Sequence, residues 1–202
     1  MKADRSYSKI RMVALFGCFV LATVVLLEKS KTAPTPPPES EPAPAESPLP
    51  PLQMKLIALE VRAWHSNIEL PDFAGNVVRL YDLEGKVVLL NFFGTWCPPC
   101  RDEMPALEKL YQANRERPFL VLGIAADPEG KMVVEPFVKK YGVTFPILLD
   151  LKKAAFQDYF VGKIPVTYLI DKHGRIAGMY PGAADWSGER GQALIAQLLQ
   201  ES

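Results

Sequence analysis

The 202-residue chain has no surplus of charge, since 23 basic and 23 acidic side chains cancel. Domains that grip nucleic acid carry a marked basic excess, so that class is set aside. Cysteine is scarce: three residues are too few for a disulfide scaffold, and a chain of this length does not need one. Histidine is scarcer: a zinc site on the two clustered cysteines would need a second ligand pair, and only His65 and His173 remain to supply it. There is no flavin or nicotinamide fingerprint and no internal repeat, so neither cofactor is expected. Long apolar runs are also missing, with one exception near the start.

That exception divides the chain. Met12 to Leu27 is an uncharged apolar run, about 24 Å long as a helix against a bilayer core of roughly 30 Å. Lys9, Arg11, Lys29 and Lys31 flank it and can extend the span by snorkelling. A cleaved signal peptide is the alternative, but the charged stretch Leu27-Glu28-Lys29-Ser30-Lys31 offers no small-x-small cleavage site. Residues 12–29 are therefore expected to be an uncleaved, single-pass signal-anchor, with Cys18 as a lipid-facing or packing thiol. Lys2, Arg5, Lys9 and Arg11 against Asp4 keep residues 1–11 cytoplasmic.

Proline, 19 in all, is crowded: nine lie between Pro34 and Pro51, with three glutamates and no aromatic residue. Such a segment cannot bury enough apolar area to fold and favours extended geometry with a reach of roughly 55 Å. Residues 30–51 read as a spacer. The remaining domain, 52–202, is nearly neutral, with 17 basic and 18 acidic residues, and is long enough for one sizeable core.

Within the domain, Ile68–Leu70 and Val77–Leu80 flank a Gly-Asn turn and predict a small hairpin. Val87–Phe93 and Phe119–Ala125 are continuous apolar runs, as in strands covered on both faces. Helices are expected from Pro98 to Asn114, from Lys131 to Tyr141 with a start delayed by Pro136, from Lys153 to Phe160 and from Gly188 to Gln200. Further strands are expected at Ile147–Asp150, Val166–Ile170 and Arg175–Tyr180. Strands alternating with helices, then a terminal hairpin and helix, imply an α/β sandwich on a mixed sheet.

The chemistry lies in Trp96-Cys97-Pro98-Pro99-Cys100. Two cysteines three apart on a first helical turn can be bridged. Cys97 falls at the helix N-terminus, where free N–H groups and the macrodipole stabilise a thiolate. Pro98 and Pro99 fit a first turn, which lacks amide partners anyway, and they stiffen it. Cys97 would attack a partner's disulfide and Cys100 would resolve the mixed intermediate. The bland alternatives are a static disulfide, half a zinc site, or a copper site with one histidine. A two-residue loop constrains little of the unfolded chain, and His173 sits in a polar turn.

Val88-Leu89-Leu90-Asn91-Phe92-Phe93-Gly94-Thr95-Trp96-Cys97-Pro98-Pro99-Cys100-Arg101-Asp102-Glu103-Met104-Pro105 resembles the thioredoxin-like TlpA/ResA-type membrane-anchored thiol-disulfide oxidoreductases. The likeness runs from about Ile68 to the C-terminus and implies a thioredoxin-like fold. The full expectation is a mixed central sheet with an N-terminal hairpin extension, preceded by a single transmembrane helix. Ile164-Pro165-Val166-Thr167 resembles the family's cis-proline segment. The resemblance implies that Ile164 and Pro165 pack beside Cys97 and take part in substrate binding, with Trp96 shielding the dithiol. Similar extracytoplasmic reductases carry an acidic residue at the position of Glu103, which suggests proton exchange with Cys100 once burial has raised its pKa. Asn91 departs from cytosolic thioredoxins, which carry an aspartate there.

The implied activity is a protein-disulfide reductase on the periplasmic side of a bacterial inner membrane, fed by a transmembrane dithiol electron donor. Its implied substrate is apocytochrome c or a copper-assembly protein, though Val166 stands where cytochrome-maturation relatives often have an acidic residue. A disulfide-forming oxidase and a copper-binding metallochaperone are the alternatives. A peroxidase is disfavoured because Trp96 and Pro98 crowd Cys97.

Overall fold

The computed structural model describes residues 49–201. The expected cytoplasmic segment, the anchor and all but the last three spacer residues lie outside the described residues. Among the described residues no helix is long and apolar enough to cross a membrane.

The hairpin forms as β1 (Glu69–Pro71) and β2 (Val77–Arg79), in antiparallel register with Leu70 opposite Val78. Gly75 turns it at a φ of 89°, a left-handed conformation that glycine adopts at no steric cost. The main body then runs β3 (Val87–Phe93), α1 (Pro98–Asn114), β4 (Phe119–Ala125), α2 (Lys131–Lys140), β5 (Ile147–Leu149), α3 (Ala154–Asp158), β6 (Val166–Ile170), β7 (Ile176–Pro181) and α4 (Glu189–Gln200). The five-stranded sheet has the order β5-β4-β3-β6-β7. β3, β4 and β5 are parallel, whereas β6 and β7 are antiparallel to their neighbours, so the sheet is mixed.

β3 is buried along its whole length, and strand alternation sends its side chains into two cores. Val87, Leu89 and Phe93 join Leu107, Val134 and Leu198 of the α1, α2 and α4 layer. Val88, Leu90 and Phe92 join Phe156 of α3 and Ile68 and Leu70 of the hairpin region on the opposite face.

Two expectations need correction. Pro136 does not delay α2, which begins at Lys131 and carries the proline inside it. The carbonyl that loses its partner belongs to Met132, 74% exposed, where water can replace the bond. α3 is also shorter than its apolar pattern suggests. Lys153 (φ 56°) and Phe160 (φ 52°), both left-handed, bracket it, and Asp150 caps it by accepting from Ala154 N and Phe156 N.

The segment before the hairpin is laced onto the end of the chain. Leu52 and Met54 are buried, Ile57 N donates to Ala177 O at 2.7 Å and Asp185 N donates to Pro50 O at 3.2 Å. Arg190 Nη2 donates to Met54 O. The guanidinium of Arg62 bridges Asp171 and Glu201.

Candidate active site

The site begins where β3 ends. Phe93 O accepts from Ala126 N, and the chain turns through Gly94 so that Cys97 N donates to Gly94 O at 3.1 Å. Asp127, buried just after β4, holds this turn by accepting from Thr95 N at 3.1 and 3.2 Å and from Thr95 Oγ1. A β-carbon on Gly94 would lie 2.9 Å from the Trp96 ring and 3.2 Å from Ile164 Cδ1. The absence of a side chain there lets Trp96 fold back over the turn.

Cys97 is the N-cap of α1, and its Sγ accepts from Cys100 N at 3.3 Å. Pro98 and Pro99 fill the first two helical positions, where an N–H has no intrahelical partner. A disulfide joins Cys97 to Cys100 with their Cα atoms 5.3 Å apart. Cys100 is fully buried and Cys97 is 4% exposed, so Cys97 is the sulfur nearer to solvent. In the dithiol state the same helix N-terminus would favour a Cys97 thiolate over a thiol.

From the facing side comes the Ile164–Pro165 bond, which is cis. Ile164 O lies 3.8 Å from Cys97 Sγ, and Pro165 O accepts from Gly182 N. Trp96, 62% exposed, forms one wall of a groove of about 760 Å³ that also includes Cys97, Pro98, Phe160 and Ile164.

Beneath the disulfide lies a buried polar cluster. Glu103 is on the same helix one turn after Cys100 and has no exposed surface. Its Oε1 accepts from Asn91 Nδ2 at 2.9 Å, and the same amide donates to Thr167 Oγ1 at 3.0 Å. The Asn91–Thr167 contact follows from register, because the two residues are paired across β3 and β6. Burial pushes the Glu103 carboxyl up to about 8, against opposing pulls from the Asn91 amide, the Ala184 backbone and the Trp186 indole. The Trp186 pull acts without a well-formed hydrogen bond: Glu103 Oε2 and Trp186 Nε1 are both buried and unpaired. Among the described residues no cation compensates the carboxylate, so the neutral acid dominates until mildly alkaline pH.

The structure thus brings Trp96, Cys97, Cys100, Glu103, Ile164 and Pro165 into one place. Asp127, Thr167, Trp186 and Phe160 belong to the same neighbourhood and were not legible from the sequence as site residues. For Thr167 the signal was available in the pairing of β3 with β6. Trp186 stands in an irregular loop far along the chain and carried no signal. The two histidines line a different cavity, of about 110 Å³, with Trp64 and Tyr81. Among the described residues no group of three or more histidine, cysteine or acidic side chains is arranged to hold a metal.

The chain is similar to known proteins. The AhpC/TSA family model matches residues 63–179. The thiol-disulfide oxidoreductase ResA of Halalkalibacterium halodurans is 40% identical over 116 residues, spanning 57% of this chain and 65% of that protein. The ResA of Geobacillus kaustophilus is 38% identical over 125 residues, spanning 62% and 71% respectively. The chain therefore spans about two thirds of the length of the curated relatives it matches. Among solved structures, a putative thiol:disulfide interchange protein DsbE from Chlorobium tepidum superposes with a TM-score of 0.64. It is 26% identical and covers 68% of this chain and 96% of that one. A putative thioredoxin from Neisseria meningitidis gives a TM-score of 0.62 at 33% identity, covering 68% and 91%. With a CxxC disulfide at the head of a helix on a thioredoxin-like sheet, and with these matches, the chain belongs to the AhpC/TSA family, among the ResA/DsbE-type thiol-disulfide oxidoreductases of the thioredoxin superfamily.

Proposed function

We propose that the domain reduces disulfides of partner proteins through Cys97 and Cys100. Cys97, as thiolate, attacks one sulfur of the partner's disulfide. A mixed disulfide forms, and the partner's second sulfur leaves as a thiolate. Cys100 then attacks Cys97 Sγ, which restores the Cys97–Cys100 disulfide and releases the first partner sulfur, so two electrons pass to the partner. Cys100 must lose its proton to attack, and Glu103 accepts that proton when its carboxyl is ionised. A group pushed up to about 8 exchanges protons readily at neutral pH. The Ile164 backbone and Trp96 hold the partner segment, in the manner of an added strand.

The observation that carries this reading is the disulfide at the N-terminus of α1, its N-cap sulfur 3.8 Å from Ile164 O. Residues 12–29 anchor the protein in the inner membrane, 30–51 space the domain from it, and the 52–202 domain works on the periplasmic side. A transmembrane dithiol carrier restores the reduced state. Apocytochrome c or a copper-assembly protein receives the electrons. The test replaces Cys100 with Ala in cells and identifies what stays disulfide-linked to Cys97. A cysteine-bearing partner protein is expected, whereas an empty trap in both oxidised and reduced cells overturns the reading. A reporter fused after Ser202 should be active only outside the cytoplasm.

A further inference from the structure

Phe160 breaks two local rules at once. It is 93% exposed, and it adopts a left-handed φ of 52° just after α3, a helix-ending position that glycine normally takes. The turn is firmly built around it. Phe160 N donates to Gln157 O, and Val161 N reaches back to Phe156 O at 2.8 Å. Tyr159 on its other side is fixed through its hydroxyl to Ser66 O and through its carbonyl to the Tyr168 hydroxyl. Nothing inside the domain gains from an aromatic ring there. A residue that costs stability in a rigid frame points to a task outside the fold.

The ring stands on the groove that contains Cys97. Among the described residues the charged side chains lining that groove are Lys153 and Lys163. Among the described residues neither meets a carboxylate at ion-pairing distance.

We propose that this groove selects the partner segment, favouring a cysteine flanked by a large apolar residue that packs on Phe160 and by an acidic residue that faces Lys153 and Lys163. The proposal rests on the reductase reading and adds the chemistry of what is reduced. A polypeptide is the occupant because the groove is continuous with the reactive sulfur, which only a disulfide-bearing partner needs to reach.

The test is single-turnover reduction by the full-length protein, reduced beforehand and held in detergent micelles. The substrates are three peptides with one internal disulfide each, whose flanking pairs are Phe with Glu, Phe with Lys, and Ser with Glu. The Phe-Glu peptide should react about tenfold faster than either of the others, and its advantage over Phe-Lys should shrink as salt is raised. The double variant Lys153→Glu with Lys163→Glu should reverse the Glu-over-Lys preference. Phe160→Gly should erase the Phe-over-Ser preference while raising the melting temperature, which a purely structural Phe160 would not do. Equal rates for all three peptides overturn the selectivity but leave the reductase reading standing. Reduction of none of them overturns both. In vesicles of brominated phosphatidylcholine and phosphatidylglycerol, the added fluorescence of Phe160→Trp should stay unquenched. Quenching would assign the patch to the bilayer and overturn the proposal.

Discussion

Glu103 and Asp171 are both buried carboxyls, one beneath the dithiol and the other just past the far end of β6, and they are solvated in opposite ways. Asp171 is 2% exposed and accepts from Arg62 Nη1, Arg175 Nε, His173 N and Arg175 N. Burial alone would raise its pKa, but these hydrogen bonds and the Arg175 charge outweigh it and hold the carboxyl below its ordinary range. Among the described residues Glu103 is stabilised only by weak pulls from Asn91, the Ala184 backbone and Trp186 and by no cation, so burial wins and pushes it up to about 8. An under-satisfied acid on the same helix as Cys100 is what the proposed proton exchange requires.

Removing one of the two cations at Asp171 should have the largest effect. Arg62→Met leaves Asp171 to Arg175 alone and loosens Glu201 as well, and should cost about 3 kcal/mol in denaturant unfolding through the lost charged hydrogen bonds. Exchange activity per folded molecule should stay unchanged, and a loss of activity at full folding would break the contrast.

Glu103→Gln should do the reverse. The acid's folded-state pKa is raised above its unfolded value near 4.5, so the native state holds the extra proton between those pH values. Wild-type stability should therefore be unaffected below about pH 4.5 and fall as pH rises towards 8. Gln keeps the acceptor for Asn91 and abolishes that fall, for a gain of about 3 kcal/mol at pH 7. Resolution of the mixed disulfide should slow by about a hundredfold, the lower end of what one general base contributes. Asp171 has the opposite sign: its contribution is present above its unfolded pKa and is lost as acid titrates the lowered folded one. Thermal melts across pH should then show Glu103→Gln altering the profile only above about pH 4.5.

Asp127 sharpens the contrast, being a buried carboxyl beside the site whose partners are the Thr95 amide and hydroxyl. Asp127→Ala should cost about 2 kcal/mol through the freed Thr95 donors, and the pH dependence assigned to Glu103 should survive. Thr167→Val should cost least, about 1 kcal/mol, by removing one acceptor of the Asn91 amide. It should also raise the Glu103 pKa slightly if the freed amide shifts away from the carboxyl, which carboxyl infrared titration can follow.

These residues also show where the sequence was legible. β3, β4 and α1 could be read because their signals are local: unbroken apolar runs, and a Cys-Pro-Pro-Cys start whose helical meaning lies in adjacent residues. Glu103 was readable by its spacing from Cys100 and by family resemblance. Trp186 and Asp127 were not, since their roles exist only after β4 and the loop before α4 have packed against the head of α1. α3 was overread because an apolar pattern does not reveal left-handed residues at both of its ends. Pro136 was misread because the consequence of a missing N–H depends on whether the orphaned carbonyl can reach water.

The stitching of residues 50–62 along β7 and the end of α4 has a mechanical consequence. A pull applied through the preceding chain would meet Pro50, Met54, Ile57 and Arg62 in turn, each fastened to a different element near the C-terminus. The fastened part of the domain therefore begins at Pro50 rather than at the first strand, and residues 50–62 add rigidity to the face that they cross.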